Sequence, residues 1–553
     1  CVVGLMGLMA VFAVMSMKDD SATVDEVLHI AAGYTYLTTH EYRLNPEHPP
    51  LVKDIAALPL LFLDLSAPYH HPSWTKYTNG QAEFGRLFFY HSGNDPDQIL
   101  FWSRLPMIGI LLLFGLFIFW WGRELGGFFV ALLALFFFTF SPTFLAHGRL
   151  VTTDVGAAFG VVLATYFYIK FLRNPSWKIG VAAGFSLGIA LLLKFSTLIL
   201  LPYFGMLTFL WFVIQPKPFV WRSVLPYVRS GAVVVILSIL LISVVYWFHI
   251  VNYPFERQVE DAKGNLAWMW RVEDPETIRF QIPENPVLRP LGHYALGSLL
   301  AMGRVSHVHI RYFLGELHWS NELWYYFPVL YLTKVPLAFH MLTLVALTPF
   351  FFFVRRLLLF RDRSVGRLKE WALAHFTLVA IAFFVFFYAA FAIASPLTTG
   401  IRHILPIFPF VYLLVAIGLK QVAEKRFSFL SFQTKYLILA FLLGWYATSS
   451  MSAFPYYLSY YNELAGGTKN GYKVAVDSNY DWGQDLKRLA EWVEVKGIEK
   501  IYVDYFGGLG IDPEYSLRER YIPWRGSSSW EFREMKKSDP KDFPRGNYLA
   551  VSA

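Results

Sequence analysis

Apolar residues run for membrane lengths at about residues 1–17, 102–121, 127–146, 155–171, 179–194, 197–214, 226–250, 326–354, 371–394, 404–420 and 435–453. Most of these runs approach the roughly 18–25 residues a helix needs to cross about 30 Å of hydrocarbon, so the pattern predicts about eleven spans. Polar turns separate them. "KFLRNPSWK", "QPKPFVWR", "VRRLLLFRDRSVGRLKE" and "KQVAEKRFSFLSFQTK" hold most of the short-loop Lys and Arg and belong on the inner side by the positive-inside rule. That threading puts three regions outside: a first loop over residues 18–101, a second over 251–325, and everything after residue 454. Lys194 falls inside the long apolar stretch from Ile179 to Ile214, and the cost of a charge at mid-membrane favours a break there into two helices.

Beyond Phe454 the pattern changes. "DWGQDLKRLAEWVEVKG" places Leu486, Leu489, Ala490 and Val493 at helical spacing, and "IEKIYVDYF" alternates like a strand. The expected fold is an all-α polytopic membrane domain over 1–454, with surface helices in its first external loop, followed by a small external α/β module over 455–553. The opening "CVVGLMGLMAVFAVMSM" reads as a span whose cytoplasmic tail is missing, and the closing "YLAVSA" as a strand cut short.

Composition agrees with this class: 56% of the 553 residues are hydrophobic, 18% aromatic and 16% charged. A formal charge of +8 on such a chain is a topology signal rather than a nucleic-acid signature. The single cysteine, Cys1, excludes an internal disulfide and a cysteine-cluster zinc site.

The chemistry-bearing residues gather in the external regions. Asp25 and Glu26 follow the first span on a stretch whose apolar Val24, Val27, Leu28 and Ala31 recur with helical period, which predicts a helix lying along the bilayer surface. Adjacent carboxylates on a helix point about 100° apart, so one can face a site while the other pairs or caps. In "NPEHPPL" two prolines stiffen a turn carrying Glu47 and His48, ahead of a second surface helix, "LVKDIAALPLLFLDL". The short second outer turn, "SPTFLAHGRLVTTDVG", carries His147, Arg149 and Asp154. Arg149 there reads either as an interfacial anchor or as a phosphate partner, and Thr153 and Asp154 either as helix caps or as site residues.

Lys194, Lys334 and the pair Arg402–His403 add positive charge at or near outer span ends, where ionisable residues are costly and are functional candidates, snorkelling being the alternative. External carboxylates opposite several such cations suit a reaction between a neutral nucleophile and an anionic lipid head group. A carboxylate would take a hydroxyl proton while cations stabilise charge on a departing lipid phosphate.

Taken together, the "DE" after the first span, "EHPPL", "HGRLVTTD", "LLLKFS", "GELHWSNELWYYFPVLYLTKVPL" and "GIRHILPIFPF" resemble bacterial members of the protein mannosyltransferase and aminoarabinose transferase group, polyprenyl-phosphate-sugar-dependent glycosyltransferases of the C superfamily. The tail "YYNELAGGTKNGYKVAVDSNYDWGQDL" is similar to the external end of the same bacterial subgroup. The resemblance implies a multi-pass enzyme of the bacterial inner membrane, acting at its extracytoplasmic side on a polyprenyl-phosphate-linked sugar, with a protein, glycan or lipid acceptor, no nucleic acid and no required cofactor. It implies Asp25 as catalytic base with Glu26 assisting, and Glu47 as a second acid. Arg149, Lys194 and Arg402, with His403, His48 and Lys334, are implied at the donor phosphate, and Asp154 and His147 as substrate-positioning groups. His48 stands where aminoarabinose transferases often carry lysine, and histidine is mostly uncharged at neutral pH.

Trp268, Trp270, Trp319, Trp324 and Tyr325 in the second loop suit either sugar stacking or an interfacial belt. Two rival readings remain: a transporter or flippase, which usually shows two related halves, and a metal-dependent oligosaccharide transferase with a divalent ion at Asp25, Asp154 and nearby histidines.

Overall fold

The computed structural model describes residues 1–215, 221–307, 310–319, 323–359, 365–424, 432–505, 510–524 and 548–552. Parts of three of the basic turns, 216–220, 360–364 and 425–431, lie outside the described residues, as do 320–322 of the "HWSNELW" stretch.

Every apolar run of the sequence falls on helix. Among the described residues six helices are long and apolar enough to cross a membrane, and a seventh span results if Tyr326–Lys334 and Leu337–Phe352, bent by 102°, count as one. The protein is therefore a multi-pass membrane protein. Part of the difference from eleven has a geometric cause. Pro96–Thr139 is continuous over 44 residues, which at 1.5 Å per residue is about twice the hydrocarbon thickness. It is not straight: Gly127 leaves helical geometry at φ 78°, ψ −171°. A Cβ on Gly122 would lie 3.0 Å from the Ala131 backbone, and the Phe114 and Phe138 rings are 5.0 Å apart. The chain turns back on itself there, and one element carries two antiparallel apolar legs. Val2–Met17 and Trp177–Leu193 are apolar but shorter than 18 residues.

The break expected at Lys194 is present. The helix Trp177–Leu193 stops, Lys194 is extended at φ −162°, ψ 139°, and a 3-10 turn, Phe195–Ile199, leads into Leu200–Ile214. A β-conformation at the lysine frees its side chain from either helix barrel.

The first external loop departs from expectation in one respect. Val24–Thr39 is a helix, but it is buried along most of its length instead of lying open on a surface. Leu51–Ala57 and Gln81–Arg86 pack over it so closely that Cβ atoms on Gly33 and Gly85 would meet the Lys53 carbonyl at 2.3 Å and Val27 at 2.8 Å. Sequence period could not separate a helix half-covered by lipid from one covered by its own loop. The apolar edge of the loop is instead its 3-10 continuation, where Leu58, Leu61 and Phe62 are exposed. In the second loop Trp268, Trp270, Trp319 and Trp324 are exposed as well.

After Ser452 the chain runs through short turns to the helix Leu486–Val495 and a parallel three-stranded sheet with Ile501–Asp504 between Tyr521–Pro523 and Tyr548–Val551. The helix and the central strand are those the sequence predicts.

Candidate active site

Thr23 caps the helix that carries Asp25 and Glu26, and the two acids diverge as helical geometry requires. Glu26 turns inward and is fully buried. Its carboxylate accepts from Thr23 N at 3.0 Å and Thr23 Oγ1 at 3.1 Å, from Arg104 Nε at 2.8 Å and a second Arg104 nitrogen at 2.6 Å, and from Val151 N at 3.0 Å. Burial pushes this carboxyl up, but Arg104 and the backbone donors outweigh it and hold it low. Five donors saturate the group, so Glu26 knits the first loop to the kinked helix and to the second outer turn.

Asp25 points the other way. Its Oδ2 accepts from Arg402 NH1 at 2.9 Å, and the same nitrogen lies 3.4 Å from Asp154 Oδ2. Asp154 Oδ1 accepts from Lys194 Nζ at 2.5 Å. A continuous ion chain, Asp25–Arg402–Asp154–Lys194, thus joins four separate elements at one end of the helical bundle. Asp154 begins the helix Thr153–Arg173, Lys194 ends Trp177–Leu193, and Arg402 sits in the 3-10 turn Ile401–Ile407 that opens Phe408–Glu424. Asp25, Arg402 and Lys194 keep 15%, 11% and 12% side-chain exposure while Asp154 keeps 1%, so three members of the chain remain partly accessible and the fourth is enclosed. Burial pushes the Asp25 carboxyl up; Arg402, then His29 and Arg304, overcome it and hold the group below the usual aspartate range.

Glu47 lies at the tip of the proline turn, held by amide donors from Gln81 at 2.7 Å, Asn79 at 3.3 Å and Asn45 at 3.4 Å. Lys53 organises that turn from beneath. Its buried ammonium donates to the carbonyls of Asn45 at 2.9 Å and His48 at 2.8 Å and to Tyr36 at 2.8 Å, and burial pushes it down to about 7. His48 is 5.1 Å from His29, and burial with that neighbour holds it well below its usual range, which leaves it neutral. His29 Nδ1 donates to the Val151 carbonyl, 3.0 Å away. His403 pairs with Thr399 Oγ1 at 2.8 Å beside Arg402.

Of three further residues expected at the donor phosphate or substrate, Arg149 and Lys334 are engaged by other partners and His147 is buried. Arg149 is 1% exposed and ion-paired with Asp20 at 2.6 Å, with Ser16 O as a further acceptor, so its guanidinium is enclosed by other segments. Lys334 is buried, donates to Leu458 O at 2.8 Å and to Asn479 O, and lies 4.5 Å over the Tyr461 ring. His147 is buried, and burial pushes it down to about 3, so it is uncharged near neutral pH. Span-end position alone does not distinguish a cation facing an opening from one tying two segments together.

Sequence reasoning missed Arg104, Lys53, His29 and Trp482. His29 alone carried a signal, four residues after Asp25 and on the same helical face. The Trp482 ring lies 4.3 Å from the Arg402 guanidinium carbon.

Residues 86–247, under a third of the chain, match the family described as "Dolichyl-phosphate-mannose-protein mannosyltransferase". The match includes Arg104, Arg149, Asp154 and Lys194. No curated protein matches the chain. Among solved structures, ArnT from Cupriavidus metallidurans bound to undecaprenyl phosphate aligns at 12% identity over 94% of this chain and 85% of that one, with a TM-score of 0.46. The apo oligosaccharyltransferase of Archaeoglobus fulgidus aligns at 13% identity over 94% of this chain and 64% of that one, with a TM-score of 0.47. Its complex with an inhibitory peptide and a dolichol-phosphate, described as AglB, gives 0.42 at the same identity and coverage.

Proposed function

We propose that the protein is a membrane glycosyltransferase that moves a sugar from a polyprenyl-phosphate donor to an acceptor hydroxyl at the extracytoplasmic face of a bacterial inner membrane. The observation that carries this reading is the ion chain Asp25–Arg402–Asp154–Lys194, assembled from four elements at one end of the helical bundle. The family match over residues 86–247 supports the donor class, since its description names a lipid-phosphate sugar.

In this reading the donor phosphate meets Arg402 and Lys194, whose charges Asp154 holds in place. Asp25, released from Arg402 as the phosphate arrives, accepts the proton of the acceptor hydroxyl. The hydroxyl oxygen bonds to the anomeric carbon as the bond to the phosphate oxygen breaks, and the electron pair leaves with the lipid phosphate, where the two cations stabilise it. One displacement inverts the anomeric centre. Glu47, held by its three amide donors, is assigned to position acceptor or donor; Glu26 has no oxygen left for substrate and serves to orient Asp25. No divalent ion is needed in this scheme.

The test is transfer from radiolabelled polyprenyl-phosphate sugars by the purified protein, in the presence of chelator. Asp25→Asn is expected to lower turnover by roughly 10²–10⁴-fold with donor binding retained, and Arg402→Gln to weaken donor binding. Near-normal turnover in Asp25→Asn overturns the assignment of the base, and lack of transfer by the wild-type protein across the sugar panel overturns the function.

A further inference from the structure

The segment after the last apolar helix is bound into the outer ends of the spans rather than hung beside them. Asn462 donates through its side chain to the carbonyls of Leu332 and Val335, each at 2.7 Å. Ser478 Oγ donates to Thr399 O at 2.7 Å, and Asn479 Oδ1 accepts from Ile401 N at 2.9 Å while its amide reaches Tyr326 OH at 3.2 Å. These bonds bracket Arg402 on its N-terminal side. Gly400 leaves just enough room for the contact: a Cβ there would lie 2.3 Å from Ser478 Oγ.

Four residues after Ser478, Trp482 is 2% exposed and lays its ring against the Arg402 guanidinium at 4.3 Å. Its backbone carbonyl accepts from Val24 N at 3.3 Å, directly before Asp25, and Ser21 N donates to Gln484 O at 2.9 Å. One short segment therefore touches Arg402 itself and the backbone residue that precedes Asp25. Asp477 begins it in a left-handed conformation, φ 61°, which non-glycine residues adopt at a cost and which persists only where surrounding bonds dictate it.

We propose that residues 477–482 form a wall of the active site, in which Trp482 is a positioning residue that seats the Arg402 guanidinium for the donor phosphate and Asp477 is a competing anion for that same guanidinium. This rests on the glycosyltransferase reading above and names a regulating element of the same site. A flat indole on one face of a guanidinium leaves its edge donors free for anions, so the aromatic ring fixes the plane without consuming hydrogen bonds. The charged groups facing Asp477 are Arg402 from the 3-10 turn, Asp25 from the first-loop helix and Arg304 from the helix Arg289–Ser306, with the Tyr326 hydroxyl nearby. Burial lifts its carboxyl to about 6 in spite of Arg402. Above that pH a second negative charge stands within electrostatic reach of Arg402, without an ion pair to it, and opposes phosphate binding; below it the carboxyl is neutral and the competition ends. A polyprenyl-phosphate sugar is a phosphodiester and keeps its charge across this range, so the donor contributes no titration of its own.

The experiment measures donor and acceptor KM and kcat of the full chain between pH 5.5 and 7.5, with donor-lipid binding followed separately by retention of radiolabelled polyprenyl phosphate. Trp482→Leu is expected to raise donor KM roughly tenfold and leave acceptor KM in place, and Trp482→Phe to restore most of the loss. Wild-type donor KM is expected to rise severalfold as pH increases through 6, and Asp477→Asn to stay at the low value throughout. Equal donor KM in Trp482→Leu and wild type, equal damage in the Leu and Phe variants, or the wild-type pH dependence retained in Asp477→Asn overturns the proposal. Absence of wild-type transfer would instead count against the glycosyltransferase reading, and the lipid-retention arm still reports on Trp482 in that case.

Discussion

At the scale of residues, the adjacent acids Asp25 and Glu26 show how one helical step separates two jobs. Glu26 spends both oxygens on five donors in a buried site, whereas Asp25 holds one guanidinium and stays partly accessible. Replacing Glu26 with Gln leaves Arg104 buried without its counter-ion, which costs about 3–5 kcal/mol, and the thermal midpoint of the detergent-solubilised protein should fall accordingly. The sign with pH follows from the depressed folded-state pKa. The contribution of Glu26 is fully present above its unfolded value, 4.5, and is lost as pH falls below that toward the folded value. Thermal midpoints measured from pH 7 to 3 should therefore converge between wild type and Glu26→Gln at the acid end. A constant gap would show that the pair contributes through packing alone.

At the scale of elements, close approach of backbones decides which helices can pack. The helix Val24–Thr39 meets Leu51–Ala57 at Gly33, where a Cβ would sit 2.3 Å from the Lys53 carbonyl. Lys53 is the residue whose ammonium fixes the Glu47–His48 turn, so a displacement there passes to the site. Gly33→Ala should lower the thermal midpoint and reduce turnover together. Gly109→Ala is the control: a Cβ there has no neighbour within 4 Å, and replacing glycine in a helix stabilises by roughly 0.5–1 kcal/mol. An unchanged midpoint in Gly33→Ala would mean that the two helices separate at no cost.

At the scale of the whole molecule, the ion chain sets the topology as firmly as the hydropathy does. Asp25, Asp154, Lys194 and Arg402 come from elements far apart in sequence, and their contact requires that four span ends share one side. The lone cysteine, Cys1, makes this measurable. In a Cys1→Ser background, cysteine at exposed Lys496 should react with an impermeant maleimide in intact cells, and cysteine at exposed Arg173 should react only after permeabilisation. Labelling of both from outside would break the arrangement.

The sequence alone determined the helical runs, the break at Lys194, the terminal helix and strand, and the divergence of Asp25 from Glu26, because each depends on local period, local charge or the 100° step of a helix. The ion chain's members were also legible one by one, since a charge beside a membrane span is costly enough to be noticed in one dimension. Only tertiary structure decided which of those charges meet. Arg149 and Lys334 look like Arg402 in sequence, yet Asp20 and the carbonyls of Leu458 and Asn479 claim them, and Trp482 reaches Arg402 from a segment 80 residues away. A cation's partner is set by distances of a few ångströms between distant parts of the chain, and the pattern along the chain carries no measure of them.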